Sequence, residues 1–161
     1  MAKTLIGGVG YRWQRDASFG VVAADALADL DWPDDTSVAD LGYSAIYVAQ
    51  DLKDADPPYE RLILVAGIER GREPGHLYRY EYQPRWATDD EVIERVREAG
   101  AGVVDIDHLL IIANQMNALP REVVLVELEP ADTSPGIELS EAGSRALAEA
   151  IELVREQICL Q

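Results

Sequence analysis

Cysteine, histidine and basic side chains are all scarce in this 161-residue chain, and each scarcity removes a class of chemistry. The single cysteine, Cys159, can close no disulfide within the chain and offers no cluster for zinc or an iron–sulfur centre. Two histidines and one thiol near the end leave almost no parts for a nucleophilic triad. No G-x-S-x-G elbow, H-E-x-x-H pair or Walker loop is present. No apolar stretch approaches the about 20 residues needed to cross a bilayer. The opening, Met1-Ala2-Lys3 and a short Thr4-Leu5-Ile6 run, lacks a signal-peptide core, so the cytoplasm is the expected compartment. Fourteen Lys and Arg against thirty Asp and Glu leave a formal charge of −16. Such a surface repels nucleic acid and anionic membranes, whose binding depends on Lys and Arg meeting phosphate. It keeps a domain soluble, and it also suits a basic protein partner.

What is present is enough for one core: 48% of residues are hydrophobic, and nothing marks a second domain within 1–161. Apolar runs alternate with helical patterns, which predicts an α/β three-layer sandwich: a mostly parallel, twisted sheet with helices on both faces. The predicted strands are Thr4 to Val9, Thr36 to Asp40, Arg61 to Ile68 and Val123 to Leu128. Arg61 to Ile68 is near-continuously apolar, as a parallel strand covered on both faces should be. His76 to Gln83 alternates, which suits an antiparallel edge strand. Helices are predicted over Ser18 to Leu30, Tyr43 to Asp54, Asp89 to Ala99 and Asp107 to Asn117, with a last one capped by Ser140. The Asp89 helix, with Thr88 as its cap, is expected to bury Val92, Val96 and Ala99.

Gly8-Val9-Gly10 after the first strand suggests a nucleotide or small-molecule turn, because glycine lets backbone approach a pyrophosphate. The third glycine of the dinucleotide pattern would fall on Trp13, which counts against it.

A more specific resemblance runs along nearly the whole chain. Leu5 to Gly10, then Asp16 and Gly20-Val21, is similar to the opening of the [NiFe]-hydrogenase maturation endopeptidases. Asp40-Leu41-Gly42 resembles that family's second signature, and Leu62 to Gly75 its third strand and the loop reaching Pro-Gly. Leu119 to Val126 with Glu129-Pro130, and then Gly136 to Ser140, resemble the late strand and the start of the last helix. The resemblance implies a protein that meets the hydrogenase large subunit, whose C-terminal peptide family members clip once nickel is inserted. It also implies three side chains, two carboxylates and a histidine, that converge on that nickel.

Here those three positions fall on Ala17, Ala66 and Gly102, none of which carries a lone pair for a metal. The resemblance thus implies a protease fold without the family's metal site, and no cofactor unless the partner supplies nickel or the site is rearranged. Asp16, Glu69 and His108 are the candidate substitutes. Asp16 could turn toward the pocket, but the capping preference of aspartate favours a role at the helix beginning near Ser18. His108 reads as a helix-surface or satisfied core histidine, and Glu69 as a solvated loop acid. Asp16, Asp40, Gly42 and Trp13 are the candidates for contact with a partner; Trp is a common interface anchor, and packing back onto the core is the alternative for Trp13. The expected function is a protease-like, non-catalytic binder of a hydrogenase large subunit, with an active endopeptidase or a nucleotide binder as alternatives.

Overall fold

The structure, a computed structural model, describes residues 2–160. Five strands form one sheet: β1 (Thr4–Val9), β2 (Thr36–Asp40), β3 (Arg61–Gly67), β4 (Leu77–Glu81) and β5 (Glu122–Leu128), in the order β2-β1-β3-β5-β4. The pairings of β1 with β2 and β3, and of β3 with β5, are parallel, while β4 runs antiparallel along β5 at the edge. The expected α/β architecture, including the antiparallel edge, is present.

The two faces of the sheet carry separate cores because side chains alternate along each strand. Leu62, Leu64 and Ala66 face one way, with Val123 and Leu125, toward α2 (Ala45–Asp54) and α4 (Ile106–Gln115). Ile63, Val65, Val124 and Val126 face the other way, toward α1 (Phe19–Ala28) and α5 (Glu141–Cys159). Each fully buried Leu, Ile or Val contributes about 1.5–3 kcal/mol. The α1 helix can lie directly on β1 because both contact points are glycine. A β-carbon on Gly8 would sit 2.0 Å from the Gly20 carbonyl oxygen, and one on Gly20 would sit 2.2 Å from that of Val9.

In α5, the Ser140 hydroxyl accepts from Gly143 N–H at 3.0 Å, and Ala150, Val154 and Ile158 bury one stripe. Leu147 and Ile151, on the same helix, are only half-buried. The helix α3 (Asp89–Gly100) departs further from expectation. Thr88 does cap it, but only Ala99 is buried, Val96 is exposed and Val92 half-buried. The periodic pattern identified the helix, yet its neighbours cover just the C-terminal end. No helix among the described residues is long and apolar enough to cross a membrane.

Candidate functional site

Strand order reverses at β1. The chain goes out from β1 to β2 on one side and returns to β3 on the other. In open α/β sheets such a reversal leaves a crevice at the carboxyl ends of the two central strands. Here the crevice is a cleft of about 400 Å³. Ala17 and Ala66 both line it, and so do Glu69, Asp105 and Asp107. No Lys or Arg does.

The two methyl groups stand where the resemblance would place carboxylates. Gly102, the third position, is exposed and is not among the residues lining the cleft, which at the start of α4 are Val104 to Asp107. The helix α4 begins at Ile106, with Asp105 as its cap. The nearby carboxylates are engaged. Asp105 caps α4, its Oδ1 accepting from Asp107 N–H at 2.7 Å. Asp107 accepts from both terminal nitrogens of Arg70, at 2.8 and 3.2 Å. Glu69 accepts from the Thr133 hydroxyl at 3.3 Å. Among the described residues no group of three His, Cys, Asp or Glu could hold a metal ion. The side chains at this cleft therefore do not fit the family's metal chemistry.

The three candidate substitutes do not converge. His108 is buried beside Glu98, which its Nε2 meets, and its Nδ1 lies 3.4 Å from Asp105. This is the core-histidine alternative. Asp16 is fully buried and caps neither α1 nor the 3₁₀ turn before it (Arg15–Ser18). Its carboxylate instead accepts from Ala131 N–H at 2.9 Å, Asp132 N–H at 3.2 Å, Ser140 N–H at 2.9 Å and the Ser140 hydroxyl at 2.7 Å. It pins the long loop before α5 to the start of α1. Local spacing favoured a cap; the tertiary fold brought better donors from more than a hundred residues away.

Asp40 and Gly42 close the other side of the turn. Asp40 Oδ1 accepts from Gly42 N–H at 2.7 Å, and its Oδ2 accepts from Arg12 at 2.9 Å. Arg12 also grips Asp25 at 2.9 and 3.1 Å, and these hydrogen bonds hold the Asp25 carboxyl below its ordinary range. Gly42 allows close packing: a β-carbon there would lie 2.8 Å from both the Gly10 carbonyl oxygen and Val21 Cγ1. Gly10 is likewise used for packing, since a β-carbon would fall 2.5 Å from the Ala17 oxygen. The glycines of Gly8-Val9-Gly10 thus serve contact between elements, which weakens the nucleotide alternative. Trp13 does not pack back; it is 69% exposed, with φ of 62°.

One charged network was not anticipated. Glu127 is fully buried on β5, where it receives Arg70 Nε at 2.9 Å, Arg72 at 2.9 Å and the Tyr80 hydroxyl at 2.8 Å. Glu129 receives Arg70 N–H at 3.0 Å and Arg72 Nε at 3.2 Å. Burial opposes the Glu129 charge, but these backbone and guanidinium donors outweigh it and hold the carboxyl below its ordinary 4.5. Burial, then the bond to Glu127, pushes the Tyr80 phenol up to about 12. The signal was available: Arg70-Gly71-Arg72 and Glu127-Leu128-Glu129 follow the same spacing at the ends of two strands that pair in parallel.

Comparison with known proteins agrees with this geometry. The family model for hydrogenase maturation proteases (HycI) matches residues 21–157. The hydrogenase 2 maturation peptidase of Thaumarchaeota archaeon SCGC_AB-539-E09 superposes with a TM-score of 0.70 at 32% identity over 99% of both chains. The hydrogenase maturating endopeptidase HybD of E. coli shares the fold, with a TM-score of 0.69 and 22% identity over 94% of this chain and 89% of its own. The hydrogenase expression/formation protein HupD of Bradyrhizobium diazoefficiens is 26% identical over 133 residues, 81% of this chain. The match spans 64% of that relative's length. With the family model covering most of its length, this chain belongs to the hydrogenase maturation protease family.

Proposed function

We propose that the chain is a non-catalytic, single-domain member of its family that acts in the cytoplasm and grips a hydrogenase large subunit, or a related partner, during assembly. One observation carries this reading: the cleft at the strand reversal presents the methyl groups of Ala17 and Ala66, and its carboxylates are occupied with caps, an arginine and a hydroxyl. A protease that senses a metal with its own side chains needs donors free to converge there. A binder needs no such donors, and the cleft and the exposed Trp13 are surfaces a partner could cover.

The test incubates the purified protein with nickel-loaded large-subunit precursor, followed by mass spectrometry and pull-down. The expected result is an unshortened precursor retained on the protein, with retention weakened by Asp40→Lys, which sets a second cation against Arg12. A shortened subunit would establish an active endopeptidase instead. Failure to retain either precursor or mature subunit would refute the partner.

A further inference from the structure

The two edges of the sheet are built differently. At one, β4 carries the exposed charges of Arg79 and Glu81, side chains of the kind that blunts an edge against pairing. At the other, β2 reads Thr36-Ser37-Val38-Ala39-Asp40, and its one charge, Asp40, is bound to Arg12. The pairing with β1 shows which main-chain groups of β2 are left over. Thr4 N–H donates to the Asp35 carbonyl at 2.9 Å, and Leu41 N–H donates to the Gly8 carbonyl at 2.8 Å. Odd-numbered residues of β2 therefore turn their main-chain groups toward β1, and even-numbered residues turn theirs outward. Thr36 N–H is taken by the Pro33 carbonyl at 2.8 Å. The N–H groups of Val38 and Asp40 and the carbonyls of Thr36 and Val38 have no partner strand among the described residues, since β2 pairs with β1 alone.

Two hollows lie along this edge, on one face of β2. Ala39 lines an apolar one of about 330 Å³, walled by Leu5, Leu41, Val48 and Leu52. Ser37, two residues earlier and so on the same face, lines the other, whose acids are Asp34, Asp35 and Glu60. None of these three acids makes an ion pair among the described residues, and only Asp35 has a side-chain contact, from the Thr36 hydroxyl at 3.5 Å. Lys3 borders both hollows, but its ammonium is held by the Pro57 carbonyl and lies over the Tyr59 ring. We infer that β2 takes up an extended, basic segment of a partner protein as a sixth strand. One apolar side chain of that segment enters the hollow beside Ala39, and a Lys or Arg two residues away meets the carboxylates beside Ser37. The spacing follows because side chains two apart on a strand share a face, as Ser37 and Ala39 do. A second copy of this chain, itself at −16, would bring like charge to the edge. The surface shares no residue with the cleft at the strand reversal, so it goes beyond the reading of that cleft and stands without it.

The test uses fluorescein-labelled peptides of three Lys-Thr-Leu-Thr repeats, read by fluorescence anisotropy with the full chain at physiological salt. Saturable binding is expected. Lys-Leu-Thr-Thr repeats have the same composition but place Lys and Leu on opposite faces of a strand, and should bind roughly tenfold more weakly or worse. Glu-Thr-Leu-Thr repeats should do the same. Methylating the peptide's backbone nitrogens in one alternate set of residues should abolish binding, and in the other set should leave it, because only one set faces β2. Val38→Pro removes an outward N–H without touching the ladder to β1 and should also abolish binding. Asp34→Lys/Glu60→Lys should weaken the Lys-Thr-Leu-Thr peptide by roughly tenfold. Glu149→Lys/Glu152→Lys, the same change of charge at exposed positions on α5, should have a much smaller effect. No binding of the Lys-Thr-Leu-Thr peptide overturns the inference, as does equal binding of the two Lys peptides. Equal effects of the two methylation sets, or equal losses in the two charge variants, overturn it as well. A wild-type chain that self-associates where Val38→Pro does not would give the edge to a second copy, and that too would overturn it.

Discussion

Removal of the Asp16 carboxylate should unfasten the loop before α5 and leave α1 intact. In Asp16→Ala, the N–H groups of Ala131, Asp132 and Ser140 and the Ser140 hydroxyl all lose their acceptor. Hydrogen bonds to a charged group contribute about 1.5–3 kcal/mol each, and neighbouring ones are not additive. The donors fall into two groups, one at 131–132 and one at 140. Counting each group once gives a loss of about 3–6 kcal/mol. For a chain of this length each kcal/mol moves the thermal midpoint by about 2–4 °C, so a fall of about 6–24 °C is expected. Asp16→Asn keeps the volume but turns an amide N–H₂ toward donors, and should fall part of the way. Calorimetry reads the midpoint and hydrogen exchange locates the damage: the amides of 131, 132 and 140 should lose protection while the first turn of α1 keeps its own. A midpoint shift under about 2 °C, or exchange confined to residues 18–21, would refute the anchor and restore the capping role.

Other consequences follow from the same geometry. Ala17→Glu with Ala66→Asp places two carboxylates on the cleft, so isothermal titration should show Ni²⁺ bound more tightly than by wild type; unchanged affinity would mean the two positions do not face a common point. Because the folded-state pKa of Glu129 is depressed, its stabilisation is present above the ordinary 4.5 and is lost as pH falls through the folded value. Glu129→Gln should therefore lower stability at neutral pH and flatten the acid limb of a denaturation series, and an unaltered limb would count against the network. Gly42→Ala drives a β-carbon to 2.8 Å from the Gly10 oxygen and should cost about 1–3 kcal/mol by urea denaturation. A neutral result would show that the turn can open.

Much of the fold was legible in the residues themselves. Arg61 to Gly67 and Glu122 to Leu128 are apolar without alternation because helices cover both faces, whereas Leu77 to Glu81 alternates because one side meets water. Ser140 and Thr88 announced their helices because a cap is made within three residues of the side chain that makes it. That Ala17 and Ala66 can donate nothing to a metal was also legible, since no fold can add donors to a methyl group.

What only the tertiary structure decided depends on contacts between distant segments. Asp16 and Ser140 are 124 positions apart, and Arg70 and Glu127 are 57 apart, so local pattern could not pair them. Which segment before and at the start of α4 lines the cleft, Val104 to Asp107 and not Gly102, depends on where the tertiary fold sets that helix. Trp13 is exposed, with left-handed backbone, next to a bridge between Gln14 and Gly136, a pairing 122 positions apart that no property of tryptophan expresses. The chain's own letters determined which groups could bind a metal; three-dimensional packing determined where the remaining carboxylates point and which aromatic side chain faces the solvent.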